Sequence, residues 1–93
     1  MFTGIIKETG EIKQIRNLDG GLEFDVSCSF AGDTHIDESI SLNGVCQTVT
    51  KQSDDFFTVQ AVEETLRKTN LGDLKQGYIV NLERSLTLDT PIE

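Results

Sequence analysis

From Leu22 to Phe30, apolar and polar residues alternate without a break: Leu22, Phe24, Val26, Cys28 and Phe30 are separated by Glu23, Asp25, Ser27 and Ser29. A period of two is the pattern of a strand with one buried face. Asp19-Gly20-Gly21 just before it is turn chemistry. A partner strand within Phe2 to Ile15 is therefore expected to return through a hairpin, with Gly10 marking a bulge or bend. After Phe30 comes a polar loop, Ala31 to Glu38, then a short strand at Ser39 to Leu42 and a tight turn at Asn43-Gly44. Cys46 to Gln52 and Phe56 to Val62 form a second hairpin across Ser53-Asp54-Asp55. In the later of these strands Phe57, Val59 and Ala61 share one face, and Phe56, Thr58, Gln60 and Val62 the other.

Thr65 is placed to cap a short helix, Leu66 to Asn70, with Gly72 to end it. Gly77 leads into a last strand, Tyr78 to Arg84, carrying Tyr78, Val80 and Leu82 on one side. From Thr87 to Glu93 the pattern fades into a connector. About six short strands at regular spacing with one short helix predict an all-β fold, a small closed or nearly closed barrel. Closure also removes the exposed edges of a chain whose single proline is Pro91. No internal repeat is visible.

Length and charge narrow the functions. Ninety-three residues suffice for one domain with a modest core. A net charge of −8, from 16 acidic and 8 basic residues, disfavours phosphate backbones and anionic lipid. An oligonucleotide-binding barrel fails on that charge and on the lack of an aromatic stacking set. The two cysteines, Cys28 and Cys46, lack metal-site spacing and are too few for a disulfide framework. Free thiols fit a reducing compartment, and no signal peptide or bilayer-length apolar run is read, so a cytoplasmic location is expected.

Candidate chemistry lies at two places. In Ser41-Leu-Asn-Gly-Val-Cys-Gln-Thr-Val-Thr50, residues two apart point the same way, so Cys46 and Thr48 face one pocket together. A thiol there can pack against a flat ring, donate a weak hydrogen bond or act as a nucleophile. It can equally be a small buried apolar group, which is what most free cysteines are. At Ala61-Val-Glu-Glu-Thr65 a strand hands over to a helix, leaving backbone groups available to a ligand. Glu64 and Thr65 can hold ligand hydroxyls or simply serve the helix start. Arg67 and Lys68 read as solvated helix charges, and Arg84 with Glu83 as an exposed strand pair of little energy. His35, Asp33, Asp37 and Glu38 are too weak a cluster for a metal. Such a lining suits a neutral, flat, hydrogen-bonding ring with a polyol tail.

Four segments together resemble the N-terminal half of the riboflavin synthase family: Met1-Phe-Thr-Gly-Ile-Ile6, Ser41 to Val49, Glu64-Thr-Leu-Arg-Lys-Thr-Asn-Leu-Gly72 and Val80-Asn-Leu-Glu-Arg84. The resemblance implies a six-stranded Greek-key barrel that binds 6,7-dimethyl-8-ribityllumazine or riboflavin. It implies one such barrel over residues 1–93, half of a normally two-barrel chain whose second barrel is absent here. In the complete enzyme two lumazines held face to face between barrels exchange a four-carbon unit, giving riboflavin. No metal or organic cofactor is implied. Implied partners are the small-molecule ligand and further copies, a homotrimer for the full-length enzyme and a homodimer for this fragment.

By the same resemblance Thr3, Gly4 and Ile5 line the ring pocket, and Cys46 and Thr48 sit beside the ring, the thiol as a candidate to assist addition. Ala61 and Val62 offer backbone groups to the pyrimidine edge, and Glu64 and Thr65 hold ribityl hydroxyls; Ser39, on the strand before the Asn43 turn, is a further candidate. Gln47 stands where the family usually carries an aliphatic residue, which is expected to put a polar group outward, toward solvent or an interface. The alternative class is a non-catalytic carrier like the fluorescent lumazine proteins, which share these barrels.

Overall fold

The computed structural model describes the backbone of residues 2–87 and the side chains of residues 5–84. Thr3 and Gly4 thus contribute backbone only, and the connector expected over residues 88–93 lies outside the described residues. Six strands follow in chain order: β1 (Phe2–Leu18), β2 (Gly21–Ser27), β3 (Ser39–Leu42), β4 (Val45–Gln52), β5 (Phe56–Val62) and β6 (Ile79–Thr87), with helix α1 (Glu63–Lys68) between the last two. They close into an antiparallel barrel in the order β1-β2-β5-β4-β3-β6. Both β2–β5 and β3–β6 are joined out of sequence order, a Greek-key arrangement.

The alternation read from the sequence supplies the core. Phe24 and Val26 of β2, Phe57, Val59 and Ala61 of β5, and Val80 and Leu82 of β6 point inward and are buried. Ile12, Ile40, Leu42 and Val49 fill the space between them. The interior is a packed core, and a ring-sized ligand has to be met on the outside.

β1 is longer than its sequence pattern suggests because it serves two neighbours. Its first half pairs with β6 and its second half with β2. Gly10 sits where the neighbours change over. A Cβ there would lie 2.7 Å from Leu82 Cδ1 and 2.9 Å from the Ser27 carbonyl, so the close approach requires glycine. The bulge itself falls later, between Ile12 and Gln14. Asn43 (φ 49) and Gly44 (φ 86) give the β3–β4 hairpin two consecutive positive φ angles, the type I′ geometry that matches strand twist. The Asn43 side chain also accepts from the Asn81 backbone N–H at 2.8 Å, tying this turn to β6.

Several details differ from the sequence reading. α1 starts at Glu63 with Val62 as an N-cap that makes no side-chain bond, so Thr65 lies inside the helix. The helix is closed by Thr69, whose hydroxyl donates to the Thr65 carbonyl at 2.7 Å, and Gly72 belongs to a separate 3-10 turn, Leu71–Asp73. Tyr78 lies outside β6 and is exposed.

Arg84 is a correction of larger consequence. It is 6% exposed and pairs with Glu38, donates to the Asp33 carbonyl at 2.7 Å, and stands over the Phe30 ring. The pattern in β6 is Val80, Leu82, Arg84 inward, so the guanidinium closes the barrel end as its apolar neighbours fill the middle. Glu38 is thereby committed to Arg84 and to the His35 backbone N–H. Gln47 is also inward, at 6% exposure, because it alternates with outward Cys46 and Thr48.

The structure contains a repetition that the sequence hides. The 3-10 turn Ala31–Asp33 precedes β3 just as Leu71–Asp73 precedes β6. Each turn buries its first residue and returns a backbone N–H to that residue's carbonyl. Each is followed by a positive-φ residue, Asp37 or Gly77, ahead of the strand. Only Gly-Asp is common to the two turns, too little to read as a repeat.

Candidate functional site

Strand register decides which of the candidate residues meet. Ser39 pairs with Thr48 and Ser41 with Cys46 across β3 and β4. Their inward neighbours Ile40, Leu42, Gln47 and Val49 are buried, so all four small polar side chains stand on the outer face. Ser39, Cys46 and Thr48 are exposed, whereas Ser41 is half-buried. The Val49 N–H donates to the Glu38 carbonyl, which makes that pair hydrogen-bonded. By alternation Ser39↔Thr48 and Ser41↔Cys46 are then non-hydrogen-bonded pairs, whose side chains approach most closely.

The row through Cys46 continues across β6 and β1. Ser41 is also opposite Glu83, and Glu83 is opposite Lys7, with a carboxylate-to-ammonium distance of 3.7 Å. Ile5 lies on the same outer surface, opposite Ser85 and 58% exposed. Five strand-borne positions far apart in the chain thus share one surface: Ile5, Ser39, Ser41, Cys46 and Thr48.

On the other side of Cys46 the barrel wall is only partly zipped. Pairing of β4 with β5 runs from Val49↔Val59 to Gln52↔Phe57, and Val45–Thr48 and Gln60–Val62 lie beyond it. The Glu63 N–H donates to the Gly20 carbonyl at 2.8 Å. Alternation then directs the Ala61 peptide groups to Leu22 of β2, while those of Val62 point to the β4 side. Of the two residues expected to offer backbone groups, Val62 is the one facing the seam; Ala61 contributes a buried methyl to the core. The Val62 side chain is 61% exposed. α1 begins immediately afterwards, with Glu64 exposed and Thr65 half-buried. Glu64 accepts from Lys68 Nζ at 2.8 Å, an exposed pair one helical turn apart.

The face formed by β1, β2 and β5 is built in the opposite manner. Arg16 donates from Nε to Glu23 at 2.7 Å and from Nη1 and Nη2 to the two Asp25 oxygens at 2.8 and 2.6 Å. Thr58 Oγ1 donates to Asp25 at 2.7 Å and Gln60 Nε2 to Glu23 at 3.3 Å. The guanidinium holds both carboxyls below their usual range, against the opposing effect of burial. A groove of about 320 Å³ beside them, lined by Lys13, Gln14, Asp25, Ser27, Asp55 and Phe56, shares no residue with the candidate set. Cys28 is half-buried and its thiol is pushed up chiefly by burial, which leaves Cys46 as the exposed thiol. No group of three or more metal-ligating side chains is gathered among the described residues, and no helix is long and apolar enough to cross a membrane.

A closed Greek-key barrel with a small polar patch outside it, next to an unzipped seam and a helix start, defines a class of ligand-binding barrel. Residues 3–85 match the family model "Lumazine binding domain", and the chain belongs to that family. It is similar to riboflavin synthase of Bacillus subtilis strain 168, with 42% identity over 87 residues, 92% of this chain and 40% of that protein. The Actinobacillus pleuropneumoniae riboflavin synthase is 44% identical over 90 residues, covering 92% of this chain and 40% of its own. That of Schizosaccharomyces pombe is 39% identical over 92 residues, covering 97% and 44%. The chain therefore spans about two fifths of the length of the curated relatives it matches.

Ser41, Glu83 and Lys7 escaped the sequence reading of the site. The signal for Ser41 was available: within Ser39-Ile-Ser-Leu42 it has the same parity as Ser39. Glu83 and Lys7 reach the row only through the β3–β6 and β1–β6 pairings, which no local pattern announces.

Proposed function

We propose that this barrel is the N-terminal lumazine-binding domain of a riboflavin synthase. Its ligand is 6,7-dimethyl-8-ribityllumazine or the product riboflavin, held on the outer surface of β3 and β4. In this reading Ile5, Cys46 and Thr48 lie along the ring, together with Thr3, Gly4 and Ser39. The Val62 peptide groups meet the pyrimidine edge across the open seam, and Glu64 and Thr65 take the ribityl hydroxyls. A second barrel opposes the first, so that two lumazines stack and one passes four carbons to the other. Riboflavin and a ribitylamino-pyrimidine leave. Orientation of two reactive rings supplies much of the rate, which is why a shallow outward surface suffices for each half. No cofactor enters this scheme, and a cytoplasmic enzyme is the setting.

The observation that carries the reading is the register itself. It gathers Ser39, Cys46 and Thr48 beside the only part of the β4–β5 seam that the described pairing leaves open. The relatives described above are enzymes, which favours a synthase over a chromophore carrier. Titration with riboflavin and with the lumazine, followed by a product assay under the same conditions, tests it. Saturable binding of both is expected; unchanged spectra with folded protein sink it. Cys46→Ser should bind riboflavin within about threefold of the parent, since a hydroxyl replaces the thiol at similar size, while any turnover falls. Because two copies of this barrel can oppose each other as the paired barrels of this scheme do, a homodimer of residues 1–93 is expected, and sedimentation showing monomer alone at high concentration rejects it.

A further inference from the structure

We infer that Ser41 is a further ligand contact, at the ring end of this surface and not at its ribityl end. The inference rests on the reading just proposed and extends it by one residue. Ser41 is opposite Cys46 in a non-hydrogen-bonded pair, the geometry that brings two strand side chains closest. Its hydroxyl makes no side-chain hydrogen bond among the described residues, although Ser29, Ser53 and Thr58 on neighbouring elements all make one. A half-buried hydroxyl with free donor and acceptor capacity, beside the exposed thiol, is suited to a ring nitrogen or carbonyl.

Strand order fixes which end of the ligand it meets. Neighbouring strands are about 4.8 Å apart, so β3 lies roughly 10 Å from β5 and from the start of α1. A ligand whose polyol tail is held at Glu64 and Thr65 extends its ring across β4 and ends over β3. Ser39 and Ser41 are the outward side chains there, and Ser41 is the one in the Cys46 row.

The test measures quenching of flavin fluorescence for riboflavin and for lumiflavin, which keeps the ring and lacks the ribityl tail. Ser41→Ala should weaken both ligands by the same factor, about fivefold for one neutral hydrogen bond. Ser41→Thr, which restores a hydroxyl in a good strand former, should recover most of the loss. Lys13→Ala, on the bulge of β1 away from this surface, serves as the control and should bind like the parent. Equal affinity of parent and Ser41→Ala overturns the inference while leaving the proposed function intact. A loss confined to riboflavin also overturns it, because the contact would then be to the tail. Failure of the parent to bind either flavin overturns both.

Discussion

The two outer faces of this barrel are made of similar strands and do opposite things with polar side chains. On β1, β2 and β5, Arg16, Glu23, Asp25, Thr58 and Gln60 bond to one another, and Glu23 and Asp25 are each 5% exposed despite facing outward. On β3 and the first half of β4 the outward side chains are short, and Ser39, Cys46 and Thr48 are exposed. The first face has used its hydrogen-bonding capacity on itself. The second has kept it, and lies beside a seam where β4 and β5 part. A barrel with a filled core can offer a ligand only a surface, and the surface left unsatisfied is the one available for recognition.

The contrast can be broken from either side. The largest effect is expected on the closed face: Arg16→Ala leaves two poorly exposed carboxylates without their cation and should cost about 3 kcal/mol in urea unfolding. A cost below about 0.5 kcal/mol would mean the network does not hold that face. Riboflavin affinity of the folded fraction should not change.

On the open face the reverse is expected. Thr48→Phe puts a ring where the ligand's ring would lie and should weaken riboflavin by more than about tenfold, with stability within about 0.5 kcal/mol of the parent. Unaltered binding would remove β4 from the site.

Acid sharpens the same comparison. Glu23 and Asp25 are depressed below their ordinary values of 4.5 and 3.8, mainly by hydrogen bonds from Arg16. A depressed carboxyl gives its full stabilisation above the unfolded value and loses it as the pH falls through the folded one. The melting temperature should therefore hold above about pH 5 and decline below it. Arg16→Gln should flatten that decline, and an identical pH profile in the variant would contradict the assignment.

The smallest effect concerns an inward position. Gln47→Leu replaces a buried amide with an apolar side chain and should add about 1 kcal/mol. A loss instead would mean the amide has a structural role.

Much of this was legible in the chain. The alternation in β2 and β5, the bounds of β3 and the Asn43-Gly44 turn all follow from local patterns, and with them the closed barrel. The parity of Cys46 and Thr48 was readable too, although parity alone does not say whether a shared face is inside or outside. Neighbouring Ile40, Leu42 and Val49 settle that, once register is known. What could not be read comes from long-range pairing. Arg84 looked like a surface charge because its partner Glu38 lies on another element, and the barrel end that buries both exists only after closure. Gln47 looked outward because it is polar, and the strand period overruled that. Thr65 lost its capping role because α1 begins three residues earlier than a Thr65 cap implies.

The central claim is that the ligand sits outside the barrel on β3 and β4, against the unzipped end of β5. Backbone amide shifts recorded during a riboflavin titration test it most directly. Changes concentrated at residues 39–48, at Val62 and in the first turn of α1 are predicted. Saturable changes centred on Arg16, Glu23 and Asp25, with residues 39–48 unmoved, would contradict it.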